Sequence, residues 1–198
     1  MTRYHSCFQT SQGWGEVIAS ERGVMEVRLP FGCLVREERE EELRERYPGI
    51  AGESGLTAQA ATLLERYFRG EAVSCDLPLD LPPGSAFRVE VYRVVAAIPW
   101  GVVKTYAEVA TAAGNSRASR AVGGAMARNP VPIIIPCHRV VGSSGAMTGY
   151  SAPGGIVSKE WLLRMEGVVL TRKKRFGAEI TPFQVRFCTN DGKKTRTG

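Results

Sequence analysis

The chain runs to 198 residues, 43% of them hydrophobic, enough for one good core or two small ones. No apolar run approaches the roughly 18 residues of a membrane span, and no apolar stretch follows Met1-Thr2-Arg3-Tyr4-His5, so neither membrane insertion nor secretion is expected. The net charge of +6 is unevenly held: residues 1–85 carry 9 Lys and Arg against 14 Asp and Glu, whereas residues 86–198 carry 17 against 6.

In chain order, residues 13–20 and 23–30 alternate apolar and polar positions and read as two strands joined by a tight turn at Glu21-Arg22-Gly23. A third strand or a turn is expected at 31–35. Residues 36–47 are dense in Glu and Arg with few apolar anchors, the pattern of a solvated helix or a mobile segment. Thr57 is the expected N-cap of a helix that places Ala61, Leu64 and Phe68 on one face. Leu77-Pro78-Leu79-Asp80-Leu81-Pro82-Pro83-Gly84 reads as a connector and sets a domain boundary near residue 85.

Beyond it, Ser85 or Gly84 caps a helix whose apolar residues Phe87, Val91, Val94, Val95 and Ile98 keep the helical period until Pro99. Thr105-Tyr106-Ala107-Glu108 fits a capping box. It opens a short helix over 106–113 that ends at Gly114-Asn115. A second short helix is expected over 119–128, ended by Asn129-Pro130. The pair is a helix-turn-helix candidate. Ser119, Gly123, Gly124, Ala125 and Ala127 leave the second helix with a nearly bare face, suited to close approach of a nucleic acid or to tight packing against a neighbour. A further helix over 159–165 ends at Glu166 and Gly167. A carboxylate there opposes the helix dipole, so Glu166 should have a specific partner. After Leu170 the pattern gives way to a basic segment with Arg172-Lys173-Lys174-Arg175, in which Ile180, Phe183, Val185 and Phe187 are expected to give partial order.

The chemistry gathers in Ile133-Ile134-Ile135-Pro136-Cys137-His138-Arg139-Val140-Val141, where an apolar run ends at a proline, a cysteine, one of only two histidines, and an arginine. A thiol is nucleophilic as its thiolate, a minor species at neutral pH unless neighbours favour it, and imidazole and guanidinium groups do so. The plainer reading of Cys137 is a small core residue. The five cysteines, at 7, 33, 75, 137 and 188, form no Cys-x-x-Cys pair and are odd in number, which points to a reducing compartment and one reactive thiol. His5, Cys7 and Cys33 come nearest to a metal-ligand set, but no four-ligand set is evident, so no metal or other cofactor is expected. The basic second part suits a polyanion, since Lys and Arg contacts to phosphate supply most sequence-independent affinity for nucleic acid.

Pro136-Cys137-His138-Arg139-Val140-Val141 resembles the active-site motif of the O6-alkylguanine-DNA alkyltransferases. The resemblance extends from about Phe87 to Gly167. It takes in Gly101-Val102-Val103-Lys104-Thr105-Tyr106, Arg120-Ala121-Val122-Gly123-Gly124-Ala125-Met126, Asn129-Pro130-Val131-Pro132 and Lys159-Glu160-Trp161-Leu162-Leu163. It implies an α+β fold, with a small N-terminal α/β domain over 1–85, a mainly helical domain with a DNA-binding helix-turn-helix over 86–170, and a basic extension over 171–198. The implied activity is repair of O6-alkylguanine, and of O4-alkylthymine as a further substrate, by irreversible transfer of the alkyl group to Cys137 after the damaged base leaves the stack.

In that scheme Cys137, a water, His138 and Glu166 form a proton relay, Tyr106 assists the leaving guanine, and Asn129 braces the turn beneath Cys137. Arg120 fills the gap left by the flipped base, while Tyr106, Asn115, Ser119, Gly123, Ser143 and Arg88 meet the DNA. Met126, Val140, Gly142, Gly149, Tyr150, Ser151 and Lys159 build the pocket, whose two glycines leave room for adducts larger than methyl. The loop between Tyr150 and Lys159 is longer than in some relatives. The implied partner is double-stranded DNA carrying O6-alkylguanine, met by a cytoplasmic or nuclear monomer. Two other readings compete. A lesion-binding relative without transfer would have replaced Cys137. A cysteine hydrolase would need another base, and His5 is the only other histidine.

Overall fold

The computed structural model describes residues 1–147, 149–171 and 184–185. The chain opens with a three-stranded antiparallel sheet, β1 (Arg3–Thr10), β2 (Gly13–Ser20) and β3 (Val24–Arg28), in that order. The turn expected at residues 21–23 is closed by a Ser20 N–H to Gly23 carbonyl bond of 2.9 Å. No strand forms at 31–35. Instead Trp14 N donates to the Cys33 carbonyl and Cys33 N to the Pro30 carbonyl, folding the chain back beside β2. The third strand is β1, at the other edge.

Strand alternation divides the two faces of this sheet. Phe8, Val17 and Val27 are buried on one, against helix α2 (Gly55–Phe68) with its inward Ala60, Ala61, Leu64 and Phe68. Phe8 lies opposite Gly15 in the register, and a Cβ on Gly15 would sit 2.1 Å from Phe8 Cζ. Phe8 is fully buried and has no room to retreat. Gly15→Ala is therefore expected to destabilise the fold by about 1–3 kcal/mol, read as a lowered urea midpoint.

Helix α1 (Arg36–Arg46) lies on the other face of the sheet. The charged run is a helix with an inner edge. Leu43 is buried, and the buried Arg39 guanidinium donates to the carbonyls of Trp14 and Leu29. Helix α2 begins ahead of the expected Thr57. Ser54 is the N-cap, its Oγ accepting from Thr57 N at 3.2 Å, while Thr57 Oγ1 accepts from Ser54 N at 2.9 Å. Thr57 thus fills the third helical position of a reciprocal capping box rather than the cap itself.

The connector at 77–84 is zipped to β3: Val24 N donates to the Pro78 carbonyl at 2.8 Å and Asp80 N to the Val24 carbonyl at 2.9 Å. Helix α3 (Ala86–Ala96) starts at Ser85, whose Oγ accepts from Arg88 N at 3.2 Å. The two-residue strand β4 (Lys104–Thr105) leads into α4 (Tyr106–Ala112), capped by the Thr105–Glu108 box. After Gly114, at φ +86°, the chain enters α5 (Ser119–Ala127). A 3-10 turn, Cys137–Arg139, precedes β5 (Val140–Val141).

Strands β4 and β5 pair in parallel, Lys104 with Val140 and Thr105 with Val141, which brings the start of α4 beside the Cys137 turn. Helix α6 (Gly155–Met165) begins ahead of the expected Lys159, with Gly154 as its N-cap, and ends with Glu166 as its C-cap. The Gly167 and Val168 N–H groups return to the carbonyls of Arg164 and Leu163, a Schellman-type closure. Strand β6 (Leu170–Thr171) pairs with β7 (Gln184–Val185). The basic run Arg172–Arg175 and the apolar Ile180, Phe183 and Phe187 lie outside the described residues.

The architecture is α+β. One buried cluster runs from Phe8, Val17 and Leu64 through Tyr67 to Val91, Val95, Ile135 and Val140, so the core crosses residue 85 without a break. Phe68 stacks on Trp161 at 5.8 Å and Tyr67 meets Trp100 edge-on at 5.3 Å. Among the described residues no helix is long and apolar enough to cross a membrane.

Candidate active site

The segment before Cys137 is tightly held. Ile133 stands at φ +74°, a conformation that a β-branched residue adopts only under constraint. Asn129 supplies part of it, donating from Nδ2 to the Ile135 carbonyl at 2.8 Å and accepting at Oδ1 from Val131 N at 3.1 Å. Cys137 N then donates to the Ile135 carbonyl at 2.8 Å, and Cys137 emerges at the floor of a cavity of about 620 Å³. Tyr106, Ser119, Arg120, Gly123, Met126, Ala127, Gly149, Tyr150 and Ser151 line the rest of it. A second cavity of about 420 Å³ shares Cys137, Tyr150 and Ser151 and runs past Asn129 toward β3.

Behind the cysteine, His138 and Glu166 are completely buried as side chains, with His138 Nε2 2.8 Å from Glu166 Oε1. The partners of Glu166 are many. Arg139 Nε donates to Oε2 at 2.9 Å, Arg139 Nη2 to Oε1 at 2.8 Å, Tyr67 Oη to Oε1 at 2.6 Å, and Gly101 N to Oε2 at 3.2 Å. Gly101 has φ +71°, and a Cβ there would lie 2.9 Å from the Glu166 carbonyl oxygen, so the close approach requires glycine. Burial opposes the charge on Glu166, but the hydrogen bond and charge of His138 and Arg139 hold its carboxyl down to about 2. An ionised carboxylate only accepts, so the hydrogen of the neutral imidazole sits on Nε2 and Nδ1 keeps its lone pair. His138 Nδ1 is buried and has no hydrogen-bond partner among the described residues. Burial also lowers the His138 pKa from the usual 6.5, which favours the neutral base.

Burial pushes the Cys137 thiol above its ordinary value, while hydrogen bonding from Asn129, the charge of Lys159 and the hydroxyl of Tyr150 pull the other way. Burial in turn lowers Lys159 to about 8, against the upward influence of Cys137. Resting Cys137 is thus a thiol that needs a base.

The remaining sequence-derived residues are spread around this centre. Lys159 lies behind the cavity wall rather than in it, its Nζ donating to the Val140 carbonyl at 2.6 Å. Val140 is buried, and Gly142 N donates to the Ala146 carbonyl at 2.8 Å in the turn that carries the exposed Ser143. Asn115 is exposed between α4 and α5, its Oδ1 accepting from Arg117 N at 3.2 Å. Arg88 donates to the carbonyls of Pro82 and Pro83 in the connector ahead of α3. Tyr67 was not foreseen. It reaches Glu166 across 99 positions of sequence, and its place on the inward edge of α2 is shared by ordinary core aromatics.

A cysteine at the floor of an open cavity, with a buried neutral base and a carboxylate behind it, defines a protein built for nucleophilic transfer to sulfur. Residues 86–168 match the family described as 6-O-methylguanine DNA methyltransferase, DNA binding domain. The mouse methylated-DNA–protein-cysteine methyltransferase is 37% identical over 185 residues, covering 89% of this chain and 87% of its own length. The protein of that name from Methanosarcina acetivorans is 48% identical over 109 residues, 55% of this chain and 68% of its own. Among solved structures, the O6-methylguanine methyltransferase of Mycobacterium tuberculosis matches with a TM-score of 0.66 at 31% identity, over 83% of this chain and 93% of that one. The chain belongs to the methylated-DNA–protein-cysteine methyltransferase family.

Proposed function

We propose that this protein repairs double-stranded DNA by taking the alkyl group of O6-alkylguanine onto Cys137, once per molecule, after the damaged base has swung out of the duplex into the cavity. The observation that carries this reading is the position of Cys137, at the floor of a cavity rimmed by Tyr106, Arg120 and Gly123, with the buried His138–Glu166 pair behind it. In the reaction the thiol proton passes through a water to His138 Nδ1, and the thiolate sulfur attacks the alkyl carbon. The new S–C bond forms as the C–O6 bond breaks, its electron pair staying with guanine, whose growing charge the Tyr106 phenol meets by a hydrogen bond. Glu166 stabilises the imidazolium without taking its proton. The product is a thioether, which has no labile bond to water, so turnover stops.

Segment 86–170 is the part that meets DNA, with α4 and α5 as the helix-turn-helix, and 1–85 packs against it. Asn115 and Ser143, both exposed, suit contacts to the phosphate backbone. Arg120 enters the space that the base leaves. The site takes DNA carrying the lesion as its partner and works as a monomer, in the cytoplasm or nucleus where that DNA lies. A duplex with one O6-methylguanine, incubated with the protein and then digested to nucleosides, should lose the modified base. An unchanged lesion would contradict the proposal. A Cβ on Gly149 would meet nothing within 4 Å, so the cavity is open on that side and benzyl adducts should react as well as methyl.

Two substitutions separate this reading from a purely structural role. A Cβ on Gly123 would find its nearest neighbour, Tyr106 Cε1, at 4.0 Å, so packing does not require glycine there. Gly123→Ala should stabilise α5 by roughly 0.5–1 kcal/mol yet weaken duplex binding, as a thermal melt and a binding isotherm would show together. Tyr67→Phe removes one donor from Glu166 while Arg139, His138 and Gly101 remain. The carboxylate then holds more charge against the imidazole and raises the His138 pKa. The acid limb of the single-turnover rate against pH should move to higher pH, and an unmoved limb would confine Tyr67 to packing.

A further inference from the structure

Helix α6 carries a full positive charge into the protein interior. Gly154, at φ +80°, and the bond from Ser158 Oγ to the Pro153 carbonyl at 2.6 Å fix its first turn, and Lys159 follows where α6 packs on the Cys137–Arg139 turn. Lys159 is fully buried, and of its three N–H donors one is used, at 2.6 Å to the Val140 carbonyl. It forms no ion pair among the described residues. The carboxylates of its own helix are engaged elsewhere. Glu160 pairs with Arg164 at 2.9 Å, and Glu166 is held by Tyr67, Gly101, His138 and Arg139.

A buried ammonium without a counter-ion is costly, and lysine answers such a site by releasing its proton more readily. Burial brings Lys159 down to about 8 from the usual 10.5, and the group that helps it keep the proton is Cys137. The influence is mutual, since the Lys159 charge favours the Cys137 thiolate. The same charge, with that of Arg139, disfavours protonated His138, so the base rests neutral. Tyr150, the other acid facing Cys137, is held well above its usual 10 by burial and stays a phenol. Holding the Val140 carbonyl does not need a charge, because a neutral amide donor would do so without the cost of burying an ion. What does need the charge is an anion nearby, and the Cys137 sulfur is the group that becomes one.

We propose that Lys159 is the counter-cation of the transfer step, its buried ammonium stabilising the negative charge that gathers on the Cys137 sulfur as the thiol proton leaves. The inference rests on the transfer reading above and adds to it the residue that makes a thiolate tolerable on a buried sulfur. The thiol proton still passes through water to His138 Nδ1. Lys159 keeps its own proton throughout and meets the charge on sulfur through space, so it is a positioning residue rather than a proton donor. Once the thioether has formed the sulfur is neutral, and Lys159 again lacks a counter-ion.

The deciding measurement uses the full chain without DNA. The rate at which iodoacetamide modifies Cys137, read on the Cys137 peptide across pH, gives the apparent pKa of that thiol. Lys159→Met removes the charge and the hydrogen bond, whereas Lys159→Gln keeps an amide donor. Both should raise the apparent pKa by about one unit or more, and both should slow single-turnover transfer at neutral pH by about tenfold or more. An apparent pKa that stays in place in both variants overturns the proposal. A rise in Lys159→Met alone also overturns it and assigns Lys159 to holding the Val140 carbonyl. Should neither variant fold, wild type and Cys137→Ala decide. With carbon-13 at the lysine Cε, one resonance of the wild type should titrate near 8 and move to lower pH in Cys137→Ala, and an unmoved resonance overturns the proposal. The expected shifts without any repair by the wild type would overturn the transfer reading and leave the Lys159–Cys137 pairing in place.

Discussion

Cys137→Ala is expected to abolish alkyl transfer completely while leaving affinity for a lesion-bearing duplex unchanged. In the proposed reaction the Cys137 sulfur forms the new bond, and no other cysteine among those described lines the cavity. Binding survives because the cavity rim, Tyr106, Arg120 and Gly123, is untouched. A fluorescence-anisotropy isotherm beside a single-turnover assay separates the two properties. Loss of both would show that the variant disturbs the Asn129-braced turn rather than the chemistry. His138→Ala should fall short of this, slowing transfer by about 10²–10⁴-fold, the usual worth of a positioned general base. With wild type, the His138 pKa lies below 6.5, and the imidazole is the neutral base above that pKa. The acid decline of the transfer rate should therefore have its midpoint below 6.5.

The second large effect is on stability. Arg139→Ala is expected to cost about 3–5 kcal/mol, because it leaves the buried Glu166 carboxylate short of its bidentate partner. It also strips the Ile98 carbonyl of a 2.6 Å bond from Arg139 Nη1. The pH dependence carries the same signature. Glu166 is held at about 2 against an ordinary 4.5, so its folded-state pKa is depressed. Its contribution is fully present above 4.5 and is lost as pH falls toward 2. Urea unfolding of wild type should weaken across that window, and in Glu166→Gln the dependence should flatten. A loss under about 1 kcal/mol for Arg139→Ala would mean that the pair is solvated in the folded state.

What could be read from the sequence was local. The Thr105–Glu108 box, Ser85 at the start of α3, the Gly114 turn and the Gly167 closure depend on residues within a few positions of one another, and each formed. The dipole argument that Glu166 needs a partner also rests on its own helix. What escaped was set by distant chain. Strand β1 has few aliphatic residues, and only pairing with β2 makes it a strand. The β4–β5 bridge is two residues long and joins segments that nothing in either pattern links. Thr57 looked like a cap because its side chain does bond a helix end, but from the third position of a box begun by Ser54. Tyr67 belongs to α2, whose apolar face accounts for it fully until Glu166 arrives from the far end of the chain. Arg88 and Lys159 were placed by motif position alone, and the bonds they make, Arg88 to the connector carbonyls and Lys159 to Val140, could not be read from it.

Stoichiometric transfer to Cys137 can be followed by intact-mass measurement during titration with an O6-methylguanine duplex. A gain of one methyl group per chain is expected, saturating at one equivalent of DNA, located on the Cys137 peptide and absent from Cys137→Ala. Repair that continues beyond one equivalent with no change in protein mass would contradict it.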